Sequence, residues 1–331
     1  MSRMSRLRAG LLGAAAVVVT CGTAGGAAVA SQAPHAKKAL TTLQLDYVPY
    51  SNDSSLFLGM KRGYFRQNGL KINLTTAVAP TFVVAAMESG QEQLGFVTTV
   101  VAVNLAAHGT ALKCVSSVDG NQTTNAAQDG TLLAANPSSG ISSVKDLVGK
   151  TVATVQLASL NTLAVQEMLK EAGINPGTVH FVSMPFAQMP QALQQGTVQA
   201  AVITSPFSQT AIANGAKLIA HPNVVVMAGE STTCFAATAQ WVSHHVKIAK
   251  EFQKAMDEAI AYTKAHPAAA AATLPAYGLA TSLQSAEQAK LGTDFNPTIQ
   301  PSSLSKVARL LERFGYITTL PNPNSLIFPG A

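Results

Sequence analysis

The chain has 331 residues, of which 47% are hydrophobic and only 11% charged, against a usual charged share of about 25%. That is enough to bury a large core in roughly two domains, and it excludes a disulfide-stapled mini-fold and a disordered polar tail. The net charge is +6, but Arg3, Arg6, Arg8, Lys37 and Lys38 all precede the first acid, Asp46; 22 basic residues less these five leaves 17 against 16 acidic ones. A nearly neutral body with no basic stripe excludes a nucleic-acid partner.

The first stretch reads as an export signal. MSRMSRLR is a positive n-region, and residues 9–19 form an apolar run shorter than the ~20 residues of a membrane span. Two exits compete. Ala28-Val29-Ala30 is a small-x-small cleavage site that makes 1–30 the signal peptide. Val18-Val19-Thr20-Cys21 resembles a lipobox that makes 1–20 a lipoprotein signal with lipid on Cys21, although Thr20 stands where Gly, Ala or Ser is expected. Both stay open, and either places the chain outside the cytoplasm, periplasmic or at the cell surface, with membrane contact only through a lipid on Cys21. Cys114 and Cys234 are then an even pair in a disulfide-permissive compartment, and two separate buried thiols fit the same facts.

From residue 41 strand and helix alternate. LQLDYV (43–48) is a strand, 54–65 a helix opened by Ser54 or Ser55 and closed by the Asn68-Gly69 turn, and KINLTTAV (71–78) a strand. A helix over 80–89 ends at Gly90, QLGFV (93–97) is a strand, 99–108 a helix and LKCVSSV (112–118) a strand. Strands separated by helices predict a mainly parallel sheet. A second series follows TLLAANP (131–137): Ser142-Ser143 cap a short helix, TVATVQL (151–157) is a strand, and a helix over 159–172 stops at Gly173. VHFVSM (179–184), a helix over 186–195 ended by Gly196, VQAAVI (198–203) and a helix to Asn214-Gly215 complete it. VVVM (224–227) and TCFAATAQWV (233–242) read as two more strands, and 247–265 and 304–314 carry apolar residues at helical spacing. With no sheet of their own, these last helices are expected to pack back on the first unit.

Three stretches, 46–74, 142–154 and 179–219, carry a resemblance through GYF-x-x-x-GL (63–70), DL-x-GK (146–150) and AL-x-x-G-x-V-x-A (192–200). In order and spacing they resemble the nitrate/sulfonate/taurine and thiamine-pyrimidine-precursor family of substrate-binding proteins of ABC importers. The motif residues themselves read as scaffold, being helix ends, turns and strand entries. The resemblance implies an α/β fold of the periplasmic-binding-protein type II, two lobes joined by two crossing strands, with lobe one over 41–135 plus 226–331 and lobe two over 136–225. It also implies an exported solute-binding protein that captures a small organic nutrient and delivers it to an ABC permease and its ATPase. Such a protein is a monomer, without catalytic residues, metal or cofactor. In that fold the strand before the crossover neighbours the returning strand, which brings Cys114 and Cys234 close enough to bridge.

Cleft residues in such folds sit at strand C-terminal ends and helix N-termini. Matching the family pattern, the candidates are Tyr47, Tyr50, Asn52 and Asp53 after the first strand, Thr98 and Thr99, then Ser159, Asn161 and Thr162, and Ser205. Each is also a residue type common at caps and turns. Where pyrimidine-precursor members carry Pro-Asn-x-Asn-His, this chain has Pro49-Tyr50-Ser51-Asn52-Asp53. The only arginines after the leader, Arg62, Arg66, Arg309 and Arg313, fall on predicted helices, away from a bidentate clamp on an anion. Tyr47, Tyr50, Phe96, Phe186, Phe207 and Phe235 are expected to line an aromatic slot with Asp53 receiving an amine or ring N–H, which favours a neutral or cationic heteroaromatic ligand. The alternative is a secreted enzyme on the same fold acting on a pyrimidine or similar heteroaromatic compound. The sequence has no GxSxG, P-loop, HExxH, GxGxxG or CxxC, and its seven histidines show no ligand spacing.

Overall fold

A computed structural model describes residues 39–48, 53–77, 80–118, 120–205, 207–277 and 293–329. The leader with Cys21, and Tyr50 and Asn52, lie outside the described residues. The first series runs β1 (Thr41–Tyr47), α1 (Ser54–Arg62), α2 (Tyr64–Gln67), β2 (Leu70–Thr76), α3 (Pro80–Glu88), β3 (Leu94–Thr98), α4 (Thr99–Ala107) and β4 (Leu112–Ser117). After β5 (Gly120–Gln122) the second series follows: β6 (Leu132–Ala135), β7 (Thr151–Thr154), α5 (Leu160–Glu171), β8 (His180–Ser183), α6 (Met189–Gln195), β9 (Ala200–Ile203), α7 (Phe207–Ala213) and β10 (Lys217–Ala220). Then come α8 (Pro222–Met227), β11 (Thr233–Thr238), α9 (Ala239–His244), α10 (Val246–Ala265), α11 (Pro267–Ala271), β12 (Thr293–Phe295) and α12 (Pro301–Arg313).

Two five-stranded sheets result, ordered β2-β1-β3-β11-β4 and β10-β6-β9-β7-β8, one in each lobe. In the first, β1 is parallel to β2 and β3, and the returning β11 lies antiparallel between β3 and β4. In the second, β7 is parallel to β8 and β9, and β6 is antiparallel to β9 and β10. This is the mixed two-lobed α/β fold. The expected boundary at 135 leaves TLLAA (131–135) in lobe one; instead Leu132–Ala135 pairs inside the second sheet, where Leu133 and Ala134 enter apolar clusters on opposite faces.

Two further expectations change. VVVM is not a strand: Pro222 at the first helical turn presets φ, and residues 222–227 form α8, whose Val226 and Met227 pack with Leu163 and Ala164 of α5. β11 also stops at Thr238, whose side chain accepts from the Trp241 N–H at 3.1 Å and starts α9. Burial of an amphipathic face and a Thr cap outweigh the strand propensity of Val and Trp. The tail helix α10 packs on α1, with Ala259 filling the space where Gly59 has no side chain: a Cβ at Gly59 would lie 2.7 Å from that of Ala259.

The lobes are connected by residues 120–131 and 221–232. Where these pass each other, Gln122 N–H donates to Glu230 O and Gly229 N–H to Gln122 O, both at 2.9 Å. Gly120 (φ 151°) is required there, since a Cβ would sit 2.5 Å from Asn296 N. Among the described residues no helix is long and apolar enough to cross a membrane.

Cys114 on β4 and Cys234 on β11 are disulfide-bonded, with Cα atoms 5.6 Å apart, an ordinary span for a bridge. The bond closes a loop of 120 residues in sequence that contains all of lobe two. The Cys114→Ala/Cys234→Ala double variant is expected to fold with about 2–5 kcal/mol less stability in urea unfolding; an unchanged midpoint would refute this. A second test concerns Asp257 on α10, whose carboxyl is pushed from 3.8 up to about 6 by burial and then by Glu258. The folded state holds a proton that the unfolded chain releases between these values, so stability falls as pH rises through that window. Asp257→Asn should raise Tm at pH 7 and leave it unchanged at pH 4.

Candidate functional site

Val100 and Val103 of α4, Leu160 and Leu163 of α5, Val226 of α8 and Leu304 of α12 belong to one buried apolar cluster. Because α4 follows a strand of the first sheet and α5 a strand of the second, this cluster packs one helix from each sheet against the other. Beside it lies a cavity of about 190 Å³ lined by Val84, Val101, Asn104, Leu105, Gln156 and Ala158. The walls of that cavity come from α3, α4 and the β7–α5 junction.

Both helices start the same way. Thr98, at φ −82° and ψ 153°, accepts from the Val101 N–H at 3.2 Å; Ser159, at φ −121° and ψ 161°, accepts from the Thr162 N–H at 3.3 Å. Extended backbone followed by a hydroxyl cap is what Ser and Thr favour at a strand-to-helix junction. Thr99 is fully buried and donates through Oγ1 to Thr232 O at 3.2 Å, joining α4 to the returning crossing. Thr162 Oγ1 donates to Gln156 O at 2.9 Å and lies 3.0 Å from Thr154 Oγ1, which folds the β7–α5 junction onto α5. The first-turn N–H groups of Leu160 and Asn161 have no acceptor among the described residues, which leaves donors over at the positive end of α5.

The other candidates are placed differently. Asn161 Oδ1 accepts from Asn223 Nδ2 at 3.2 Å, which ties α5 to α8. Ser205, 3% exposed, lies two residues after β9 with a buried Oγ that has no hydrogen-bond partner among the described residues, and a Cβ at Gly130 would lie 2.9 Å from its own. Asp53 is completely buried at the start of α1. Tyr47 enters the lobe-one core with Leu43 and Leu45, on the inward face of β1, edge-on to Phe57 at 5.4 Å. The expected aromatic slot is therefore not built from Tyr47, Phe96 and Phe235, all three of which fill that core; Phe186 and Phe207 stack with each other in lobe two. The four arginines do stay on helices: Arg62 sits 4.4 Å above the Tyr262 ring and Arg313 pairs with Glu167.

Residues the sequence did not single out also matter. Gln156 and Asn104 line the cavity; the rule that cleft residues follow strand ends extends naturally to Gln156, two positions after β7. At the crossing, Asp129 is buried, and Oδ1 accepts from Thr131 N–H at 3.0 Å and Gln122 Nε2 at 3.2 Å, with His221 Nδ1 at 3.8 Å from Oδ2. Burial raises its carboxyl, opposed by these two bonds and by His221.

With this geometry the comparisons become informative. The family model described as NMT1/THI5 like matches residues 51–270, well over half of the chain. The chain belongs to the NMT1/THI5-like family. No curated protein sequence matches it. Among solved structures, a ligand-binding component of an ABC-type import system from Staphylococcus aureus is similar over 87% of this chain and 96% of its own, with a TM-score of 0.73 and 16% identity. The aliphatic sulphonate binding protein SsuA of Escherichia coli covers 86% and 97% at a TM-score of 0.70 and 18% identity. SsuA of Xanthomonas axonopodis pv. citri, bound to MOPS, covers 88% and 99% at 0.71 and 18%. At such identities the likeness shows a shared fold.

In this NMT1/THI5-like chain the Thr162 hydroxyl is the centre of the β7–α5 junction. Thr162→Val should cost about 1–3 kcal/mol in urea unfolding, since it leaves the Gln156 carbonyl and two hydroxyls short of a partner, whereas Ser159→Ala should cost about 1 kcal/mol as a lost cap. Equal, negligible costs for both would refute the network.

Proposed function

We propose that this protein is an extracytoplasmic solute-binding protein that captures a small organic nutrient between its lobes and presents it to an ABC permease and its ATPase. The observation that carries the reading is the pair of hydroxyl-capped helices, α4 in lobe one and α5 in lobe two, packed together beside a cavity whose walls come from both lobes. Membership of the NMT1/THI5-like family and the likeness to import-system components support it. A ligand held by both helix starts contacts both lobes only when they are close, so binding shifts the population toward the closed arrangement that a permease reads. On this reading the polar groups bind and orient; they do not react. The leader delivers the chain across the membrane, with cleavage after Ala30 or lipid on Cys21. The lobes divide near 131–132 on the outward crossing and near 221–232 on the return.

The ligand belongs to the nitrate/sulfonate/taurine or thiamine-pyrimidine-precursor class. Tyr47, Phe96 and Phe235 fill the lobe-one core, Phe186 and Phe207 stack on each other, and the arginines lie on helices, which favours N–H groups, amides and hydroxyls as the recognition chemistry. Of the original set, Thr98, Thr99, Ser159, Thr162 and Ser205 are the residues proposed for the cleft, together with Tyr50, Asn52 and Asp53 between β1 and α1.

The test is the thermal stability of the chain from residue 39 against aminopyrimidines, nitrate, taurine and alkyl sulfonates. One class, held at about 100 times its dissociation constant, should stabilise the fold by about 2.7 kcal/mol and be recovered chemically unchanged. Conversion of the compound on prolonged incubation would overturn the binding-protein reading in favour of catalysis.

A further inference from the structure

A second polar site lies in lobe one, on the side of the sheet that α3 covers. Along β1 the side chains alternate: Leu43, Leu45 and Tyr47 enter the core, which sends Asp46 to the opposite face. Asp46 pairs with Thr75 on β2 and Gly95 on β3. Over Gly95, α3 comes so close that an added Cβ would overlap Val83 and lie 3.1 Å from Met87 Sδ. The helix therefore sits over β3 and leaves the surface above β1 and β2 uncovered. The result is a groove of about 550 Å³ with Asp46 and Thr75 along the sheet and Phe82, Ala85, Ala86 and Ser89 along the helix, a volume within the usual range for small-molecule sites of about 300–1,000 Å³.

The groove holds unbalanced negative charge. Asp46 is only 5% exposed, and its Oδ1 is buried with no hydrogen-bond partner among the described residues. Beside it, Glu92 accepts from Thr75 Oγ1 at 2.9 Å through Oε1, while its Oε2 is buried and has no partner among the described residues. Burial raises the Asp46 carboxyl; Glu92 is raised by burial, lowered by the Thr75 bond and raised again by the charge of Asp46. Among the described residues neither carboxyl has an ion-pair partner. A buried carboxylate without donors is costly, and a cation carrying its own N–H groups removes that cost.

We propose that this groove is a binding site, separate from the interlobe cleft, for a small organic ammonium ion, its –NH₃⁺ against Asp46 and Glu92 and its apolar part along Phe82, Ala85 and Ala86. An ammonium group presents three donors on a compact charge, which suits the unpartnered carboxylate of Asp46 on the groove wall and that of Glu92, hydrogen-bonded to Thr75 of the groove. A calcium ion asks for six to eight oxygens, and among the described residues no group of three or more metal-ligating side chains exists. Phe82 is 60% exposed, so an alkyl chain laid on it removes apolar area from water on both partners. The site does not depend on the transport reading.

The probe is n-butylammonium chloride, with n-butanol and butyrate as uncharged and oppositely charged controls of similar shape, titrated by calorimetry and by amide ¹H–¹⁵N shifts on the chain from residue 39. Expected is saturable one-to-one binding of n-butylammonium alone in the millimolar range or tighter, with shifts centred on Thr75, Ala86 and Ser89. Asp46→Asn should weaken it at least tenfold and Glu92→Gln several-fold, while Thr98→Ala leaves it unchanged. Should Asp46→Asn not fold, Phe82→Ala on the surface decides, with a several-fold loss expected. Equal binding of butanol, no saturation, shifts centred on Thr98 and Thr162, or undiminished affinity in Asp46→Asn and Phe82→Ala would overturn the proposal.

Discussion

The fold depends on the insertion of β11, antiparallel, between β3 and β4. A parallel sheet assembled only from successive βαβ units would have set β4 beside β3; reserving that place obliges the chain to leave lobe one, build lobe two and come back. The returning strand is buried at five of its six positions, so its insertion completes a core that the first 117 residues cannot close alone. Phe235 and Phe96 meet across this seam, and Phe252 of α10 packs on Phe235. The disulfide fastens the same seam, with one half on β4, just before the exit, and the other on β11, just after the return. Discontinuity of lobe one, the docking of the tail and the bridge are thus one constraint expressed three times.

That constraint also places the hinge. Leaving and returning at neighbouring strands forces the two crossings to run side by side, and their polar groups are satisfied by each other. Ser231 Oγ donates to Asn121 Oδ1 at 2.9 Å, and Ser303 Oγ at the start of α12 donates to Glu230 Oε2 at 2.6 Å while accepting from Ser231 N–H. A buried backbone segment must have such partners. Because α12 supplies some of them and packs on both α4 and α5, the C-terminal helix is part of the connection between the lobes as well as part of lobe one.

Much of this is legible in the sequence because it is local. Gly63 ends α1 at φ 81°, as a glycine before a new turn predicts, and the caps at Thr98 and Ser159 stand where strand-to-helix junctions want a hydroxyl. The misreadings share a cause. Val224–Met227 and Gln240–Val242 carry strand-forming residues, but Pro222 and Thr238 start helices whose buried faces are determined by α5 and the first sheet, which no local window contains. Tyr47 stands at a strand end, and the two-residue alternation of β1 turns its ring to the core side, edge-on to Phe57. Asp129 and Gln156 escaped notice because their roles arise only when the crossings and the lobes meet.

The hydroxyls at the two helix starts are committed to their own helices, and this bears on how a ligand is held. Thr98 and Ser159 accept from N–H groups three residues on, so they shape the junction, and on the proposed reading recognition falls to the backbone donors left over. Backbone donors on two rigid helices recognise position more than identity: a sulfonate, a carboxyl or a ring acceptor can each take them. Side chains around those donors would then choose among these. A family with one scaffold and several ligand classes is the expected outcome when the scaffold provides the donors and the loops provide the selectivity.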